Sequence, residues 1–172
     1  MLQNLKKIEK IINSELSSKI HNSVINNDEL LIEVGENDLT KVVQFIKSNE
    51  KLKFRQLIDI AGVDYPDEEK RFNLIYLFLS HENNSRLKLL IKFETSQTIN
   101  SITKIFPSAN WMEREVFDMY GIKFNDHPDL RRILTDYGFS GHPLRKDFPI
   151  TGHTEVRSVS YTHLTLPTTT IV

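Results

Sequence analysis

The spacing of apolar residues shifts along this chain, and each shift marks a change of structure. Leu2, Leu5, Ile8, Ile12, Leu16 and Ile20 recur every three or four residues, with Lys6, Lys7, Lys10 and Glu15 off that line. This is the stripe of an amphipathic helix. Asn26-Asn27-Asp28 reads as a turn, and Leu30 to Val34 as a short strand ended by Gly35. Asp38 is placed to cap a second helix, Leu39 to Asn49, whose inner face is Leu39, Val42, Val43 and Ile46. Phe54 to Val63 reads as a short helical turn running into a strand.

A hairpin follows. Phe72 to Leu79 is rich in strand formers, Glu82 to Ser85 turns, and Leu87 to Phe93 returns. Leu87, Leu89 and Ile91 share one face of the return strand, and Lys88, Leu90 and Lys92 the other, as in an edge or one-sided antiparallel strand. Thr98 to Phe106 is expected to form a short helix stopped by Pro107. Asn110 to Tyr120 is a stronger helix, with Gly121 at the position just past its end. From Asn125 turn signals dominate, with a short helical stretch expected around Leu130 to Leu134. The order predicts an α+β fold: a two-layer domain with N-terminal helices packed on a small, mostly antiparallel sheet, then an irregular C-terminal arm. The expected divisions are 1–124 for the domain, 125–157 for the arm and 158–172 for a tail outside the fold.

Composition narrows the chemistry. The 172 residues suffice for one domain with its own core, and the net charge of −1 gives no basic excess for nucleic acid. The absence of cysteine removes disulfides, thiol catalysis and iron–sulfur or Cys-type zinc ligation by this chain. No apolar run is long enough to cross a bilayer, and MLQNLKKIEK has no signal-peptide core, so membrane association is expected only through partners. No glycine-rich phosphate loop or nucleophile elbow is present.

Two stretches carry the remaining chemistry. In WMEREVFDMYG, Arg114 and Asp118 stand four residues apart and can pair, while Glu115 and Asp118 share a helical face. The two carboxylates suit an acid–base pair; equally, they suit the polar side of a helix whose Trp111, Val116, Met119 and Tyr120 face a core. A free-standing carboxylate or metal hydrolase using Glu113, Glu115 and Asp118 is therefore one reading. The second stretch, HPDLRRILTDYGFSGHPLRKDFP, runs from His127 to Pro149. His127, His142 and His153 fit no compact metal-ligand spacing, and the first two precede proline, which favours turn geometry. Arg131, Arg132, Arg145 and Lys146 are matched by Asp126, Asp129, Asp136 and Asp147. A neutral arm of mixed charge suits ion pairs to its own body or a protein interface, with Tyr137, Phe139 and Phe148 as anchors.

NWMEREVFDMYGIKF followed by HPDLRRILTDYGFSGHPLRKDFPITGHTEVR resembles the respiratory complex I 30 kDa subunit family, a component of NADH-quinone oxidoreductase. The match is nearly continuous from Asn110 to Arg157, whereas the N-terminal part agrees only in its pattern of elements. The resemblance implies a non-catalytic subunit of the hydrophilic arm of a proton-translocating NADH:quinone oxidoreductase, peripheral on the cytoplasmic face of the bacterial inner membrane, or the matrix side if organellar. It implies that this chain binds no cofactor while the complex uses NADH, FMN, iron–sulfur clusters and quinone. It also implies docking on the large quinone-site subunit beside other hydrophilic-arm subunits. Glu113, Arg114, Glu115 and Asp118 match the signature helix. Arg131, Arg132, Arg145, Lys146 and Asp147 match the arm, with His127, Asp129 and His142 beside them as candidate interface residues. Related modules occur in membrane-bound hydrogenase complexes, which leaves the equivalent scaffold there as an alternative. From Ser158 the chain departs from the pattern, and SVSYTHLTLPTTTIV looks like translated adapter or read-through sequence.

Overall fold

The structure, a computed structural model, describes residues 2–152. His153, the last residues of the expected arm and the expected tail 158–172 lie outside the described residues. Helix α1 (Leu2–Leu16) leads into strands β1 (Ile20–Asn26) and β2 (Glu29–Val34), then α2 (Leu39–Ser48). Strands β3 (Gln56–Asp64), β4 (Phe72–Ser80) and β5 (Ser85–Phe93) follow, then the short β6 (Ile99–Asn100), α3 (Ala109–Tyr120) and β7 (Phe124–Asn125). Five strands form one sheet in the order β1-β2-β5-β4-β3, and β6 pairs with β7 in a second. Within the large sheet only the β2–β5 pairing is parallel. The result is the expected α+β architecture with a mostly antiparallel sheet and an irregular arm.

Alternation along the strands decides which face is covered. Leu30 and Ile32 of β2, Leu74 and Tyr76 of β4, and Leu89 and Ile91 of β5 are fully buried. They join Leu5, Ile8 and Ile12 of α1 and Val42, Val43 and Ile46 of α2 in one core. Full burial of each aliphatic side chain contributes about 1.5–3 kcal/mol. The other face of β5 carries Lys88 and Lys92, which pair with Glu29 and Glu33 of β2.

Several local expectations change. The apolar stripe continues to Ile20, but α1 ends at Leu16: Ser17 and Ser18 favour a turn, and Ile20 instead starts β1 opposite Val34. Strand β1 has too few buried positions to show a period-2 signal. Its hairpin turn was legible: Asn27 and Asp28 both take left-handed φ, 49° and 60°, as a two-residue primed turn needs. No helical turn precedes β3. A bulge between Leu57 and Asp59 leaves Ile58 partly exposed, and the broken alternation imitates a helix. Strand β5 is one-sided as expected but lies at the centre of the sheet, not its edge. Thr98 to Phe106 is not a helix. Ile99–Asn100 pair with β7, Ile102 gives its N–H to Glu113 at 2.9 Å, and only one turn forms before Pro107.

Candidate functional site

The site is where the arm folds back onto α3 and the β3–β4 end of the sheet. Helix α3 buries Ala109, Glu113, Val116 and Met119. Trp111, expected against the core, is 70% exposed, because it stands on the opposite side of the helix from Ala109 and Glu113. Gly121 ends the helix in the left-handed region at φ 74° and gives its N–H to Phe117 O at 2.8 Å. The arm caps the remaining carbonyls of the last turn. His142 Nδ1 donates to Asp118 O at 2.8 Å, Leu144 N to Met119 O at 3.1 Å, and Arg145 Nε to Tyr120 O. The Arg145 charge also complements the negative end of the helix dipole. A Cβ on Gly121 would meet Arg145 and His142 side-chain nitrogens at 2.6 Å, so glycine is required there twice over.

Asp118 is the arm's main anchor. Its Oδ1 accepts Arg132 Nη1 at 2.8 Å and the Thr135 hydroxyl at 2.6 Å. Its Oδ2 accepts the N–H groups of Ile133, Leu134 and Thr135 at 3.0, 2.8 and 2.9 Å. Burial alone would raise its pKa, but the Thr135 hydroxyl and the three N–H groups outweigh burial and hold it well below the usual carboxylate range. This nest explains why Leu130 to Leu134 is not helical: its N–H groups converge on a side chain instead of on preceding carbonyls. It also corrects the expected Arg114–Asp118 pair. Arg114 instead donates to the carbonyls of Arg131 and Arg132 at 3.1 and 3.2 Å.

A second anchor joins sheet and arm. Arg71 grips Asp64 with two bonds, Nε to Oδ1 at 2.6 Å and Nη2 to Oδ2 at 2.8 Å, and also reaches Asp147 at 2.9 Å. Lys146 gives its backbone N–H to Asp64 Oδ2 at 2.8 Å. The Arg71 bonds lower the Asp64 pKa against the opposing effect of burial, with help from the Lys146 N–H. Neither Asp64 nor Arg71 stood out as a site residue in the sequence. Seven positions apart across a turn, they become partners only when β3 and β4 pair. Of the arm's other candidates, Arg131 pairs with Asp129 at 2.9 Å on the surface, and the Lys146 side chain is exposed.

Glu113 lies apart from both anchors. Its side chain is fully buried; Oε1 accepts the Ile102 N–H, and Oε2 has no hydrogen-bond partner among the described residues. Burial raises its pKa to about 7, against the pull of the Ser101 hydroxyl and the Ile102 N–H. Glu115 is exposed and borders a cavity of about 150 Å³ with Asp59 and Tyr120. That is below the roughly 300–1,000 Å³ of small-molecule sites. The three carboxylates thus face three different surroundings, and the acid–base pair expected of Glu115 and Asp118 does not assemble. Among the described residues no group of three His, Asp or Glu is placed to hold a metal ion.

Residues 32–154, which contain both anchors and Glu113, match the family described as respiratory-chain NADH dehydrogenase, 30 Kd subunit. The chain belongs to this family. It is 45% identical over 156 residues to the C subunit of the NADH-quinone oxidoreductase of Chelativorans sp., covering 91% of this chain and 78% of that one. It is 54% identical over 129 residues to the corresponding protein of Ruegeria pomeroyi, covering 75% and 64%. The fold is also that of a chain in the membrane-bound sulfane sulfur reductase, an archaeal respiratory membrane complex, with a TM-score of 0.72 and 23% identity over 84% of this chain and 85% of that one. The sequence blocks that suggested the 30 Kd family, WMEREVFDMYG and the arm, are the two halves of one clasp. Helix α1 and strand β1 lie outside the matched family segment.

Proposed function

We propose that this chain is a structural subunit of the hydrophilic arm of a proton-translocating NADH:quinone oxidoreductase. It sits peripherally at the cytoplasmic face of the inner membrane, or the matrix side if organellar, and docks on the large quinone-site subunit. Electron transfer from NADH through FMN and iron–sulfur centres to quinone takes place on other chains, and this one carries no cofactor and no catalytic residue. Its part is to hold a rigid shape against its partner.

Family membership supports the complex, and one structural observation supports the docking. The arm turns Arg132 and Arg145 inward, while large apolar groups of the arm and of α3 face outward. Asp118, Asp64 and the α3 carbonyls take up Arg132, the Lys146 N–H and Arg145, while Trp111, Leu134, Tyr137, Leu144 and Ile150 stand in solvent. Aromatic and aliphatic anchors on a pre-shaped segment are what an interface core uses. Among the described residues no helix is long and apolar enough to cross a membrane, which suits attachment through a partner.

The test is co-elution of the purified chain with the large quinone-site subunit, beside an assay of the chain alone with NADH and quinone. Co-elution without turnover is the expected result; quinone reduction by the isolated chain would end the proposal. The equivalent scaffold role in a membrane-bound hydrogenase-type assembly is the second reading, since the fold is shared with a chain of another respiratory membrane complex. The identity of the large subunit that co-purifies from native membranes separates the two.

A further inference from the structure

Glu113, Tyr76 and His127 form a buried cluster that neither anchor uses. Glu113 and His127 side chains are both fully buried, as is Tyr76. Two polar atoms in the cluster, Glu113 Oε2 and the Tyr76 hydroxyl, have no hydrogen-bond partner among the described residues. The groups around Glu113 come from four elements. Strand β4 supplies Tyr76, which is neutral and whose ionisation Glu113 further opposes. The segment before α3 supplies the Ser101 hydroxyl and the Ile102 N–H. On its own helix, Arg114 is turned away to the Arg131 and Arg132 carbonyls. The root of the arm supplies His127, whose Nε2 lies 3.8 Å from Glu113 Oε2.

His127 is not a cation in this arrangement. Its Nε2 lies 3.0 Å from the Asn110 carbonyl, so that nitrogen carries the hydrogen. Its Nδ1 accepts the Asp129 N–H at 3.1 Å, so that nitrogen carries none. The ring is therefore held neutral by two backbone bonds. A buried carboxylate with no cation beside it and an unmatched oxygen is strongly disfavoured as an anion.

We propose that Glu113 is a buried proton store that latches the root of the arm, closed while the carboxyl is neutral and opened when it ionises. When Glu113 releases its proton to solvent, the carboxylate requires a hydrogen-bond donor, and the His127 Nε2–H, 3.8 Å from Oε2, is the donor in reach. Without gaining a proton, the ring turns that hydrogen from the Asn110 carbonyl to Glu113 Oε2. The movement draws Nδ1 away from the Asp129 N–H, so the turn from His127 to Asp129 lets go. Closed with the carboxyl neutral, or open with the carboxylate bonded to His127, are the two states the geometry allows, and they differ by the one proton released. The latch precedes the segment that carries the exposed apolar groups, so docking becomes pH-sensitive. That consequence rests on the docking reading; the latch itself does not.

The test is a pH titration of the full chain by NMR, following the side-chain carboxyl carbons of glutamate, the His127 ring nitrogens and the backbone amide of Asp129. Glu113 is expected to titrate near pH 7, and the Asp129 amide to move with the Glu113 midpoint. Glu113→Gln, which keeps the shape and cannot ionise, should leave the Asp129 amide still through that range. A Glu113 midpoint at the ordinary glutamate value of 4.5 would overturn the proton store. An Asp129 amide that stays fixed through the Glu113 transition, or moves equally in Glu113→Gln, would overturn the latch.

Discussion

Glu113 and Asp118 are buried carboxylates of the same helix, and their surroundings push them in opposite directions. Glu113 is raised to about 7 by burial. The folded chain therefore binds its proton more tightly than the unfolded chain, and the Glu113 contribution to stability is full below about pH 4.5 and lost as pH rises through 7. At about 1.4 kcal/mol per pH unit the loss is about 3 kcal/mol. Asp118 is lowered by the hydrogen bonds it accepts, so its contribution is present above the ordinary aspartate value of 3.8 and lost as pH falls through its folded value. Denaturant unfolding across roughly pH 2 to 9 checks both signs. Glu113→Gln should flatten the decline toward the alkaline end and leave the acid side intact, and Asp118→Asn should do the reverse. Asp118→Ala removes the partner of Arg132 and strands the N–H groups of Ile133, Leu134 and Thr135, for an expected loss of about 3–5 kcal/mol at neutral pH. An unchanged unfolding midpoint for that variant would mean the arm is not held where the structure places it.

The arm behaves as an added wall of α3. Arg145→Ala should remove the cap on Tyr120 O and the contact of its guanidinium with the Phe72 ring, 5.3 Å from the centroid. The expected cost is about 1–3 kcal/mol in a melt of the isolated chain. Gly62→Ala tests the other wall of this packing, because a Cβ there would lie 2.8 Å from the Tyr120 ring. It should cost about 1–3 kcal/mol by displacing that ring, read in the same melt. These elements were unevenly legible in the sequence. The inner faces of α1 and α2, the hairpin of β4 and β5, and the Gly121 stop followed directly from period and turn chemistry. Strand β1, the bulge in β3 and the irregular 130–135 stretch did not, because each depends on a partner distant in sequence. Ile20 needs Val34, Leu57 needs Phe78, and Ile133 to Thr135 need Asp118. The candidate site divided along the same line. Its charged residues were visible, but which charge held which group was not: Arg114 pairs with carbonyls, and Arg132 takes the aspartate.

At the scale of the whole molecule, the chain presents a covered core on one side and a stiffened, apolar-edged arm on another. Its family places it in a multisubunit oxidoreductase, and its fold recurs in an archaeal respiratory membrane complex. On the proposed docking role, mutations of the chain divide into two classes. Changes at Asp118, Asp64 or Arg145 should lower stability first and affect assembly as a result. Changes at Trp111, Leu134 or Tyr137 should leave the melt alone and act on assembly directly. The Lys146 side chain, exposed on the arm, belongs with the second group.

Binding of the Tyr137→Ala chain to the large quinone-site subunit, with a melt of the same sample, tests the docking account most directly. Tyr137 is fully exposed in the isolated chain, so its removal should not shift the melting temperature. As a central anchor, it should lose about 2 kcal/mol or more of binding on truncation, roughly a 30-fold weakening of affinity. Wild-type affinity for Tyr137→Ala, and again for Trp111→Ala with Leu134→Ala, would contradict the account and show that the outward face of the arm is not the docking surface.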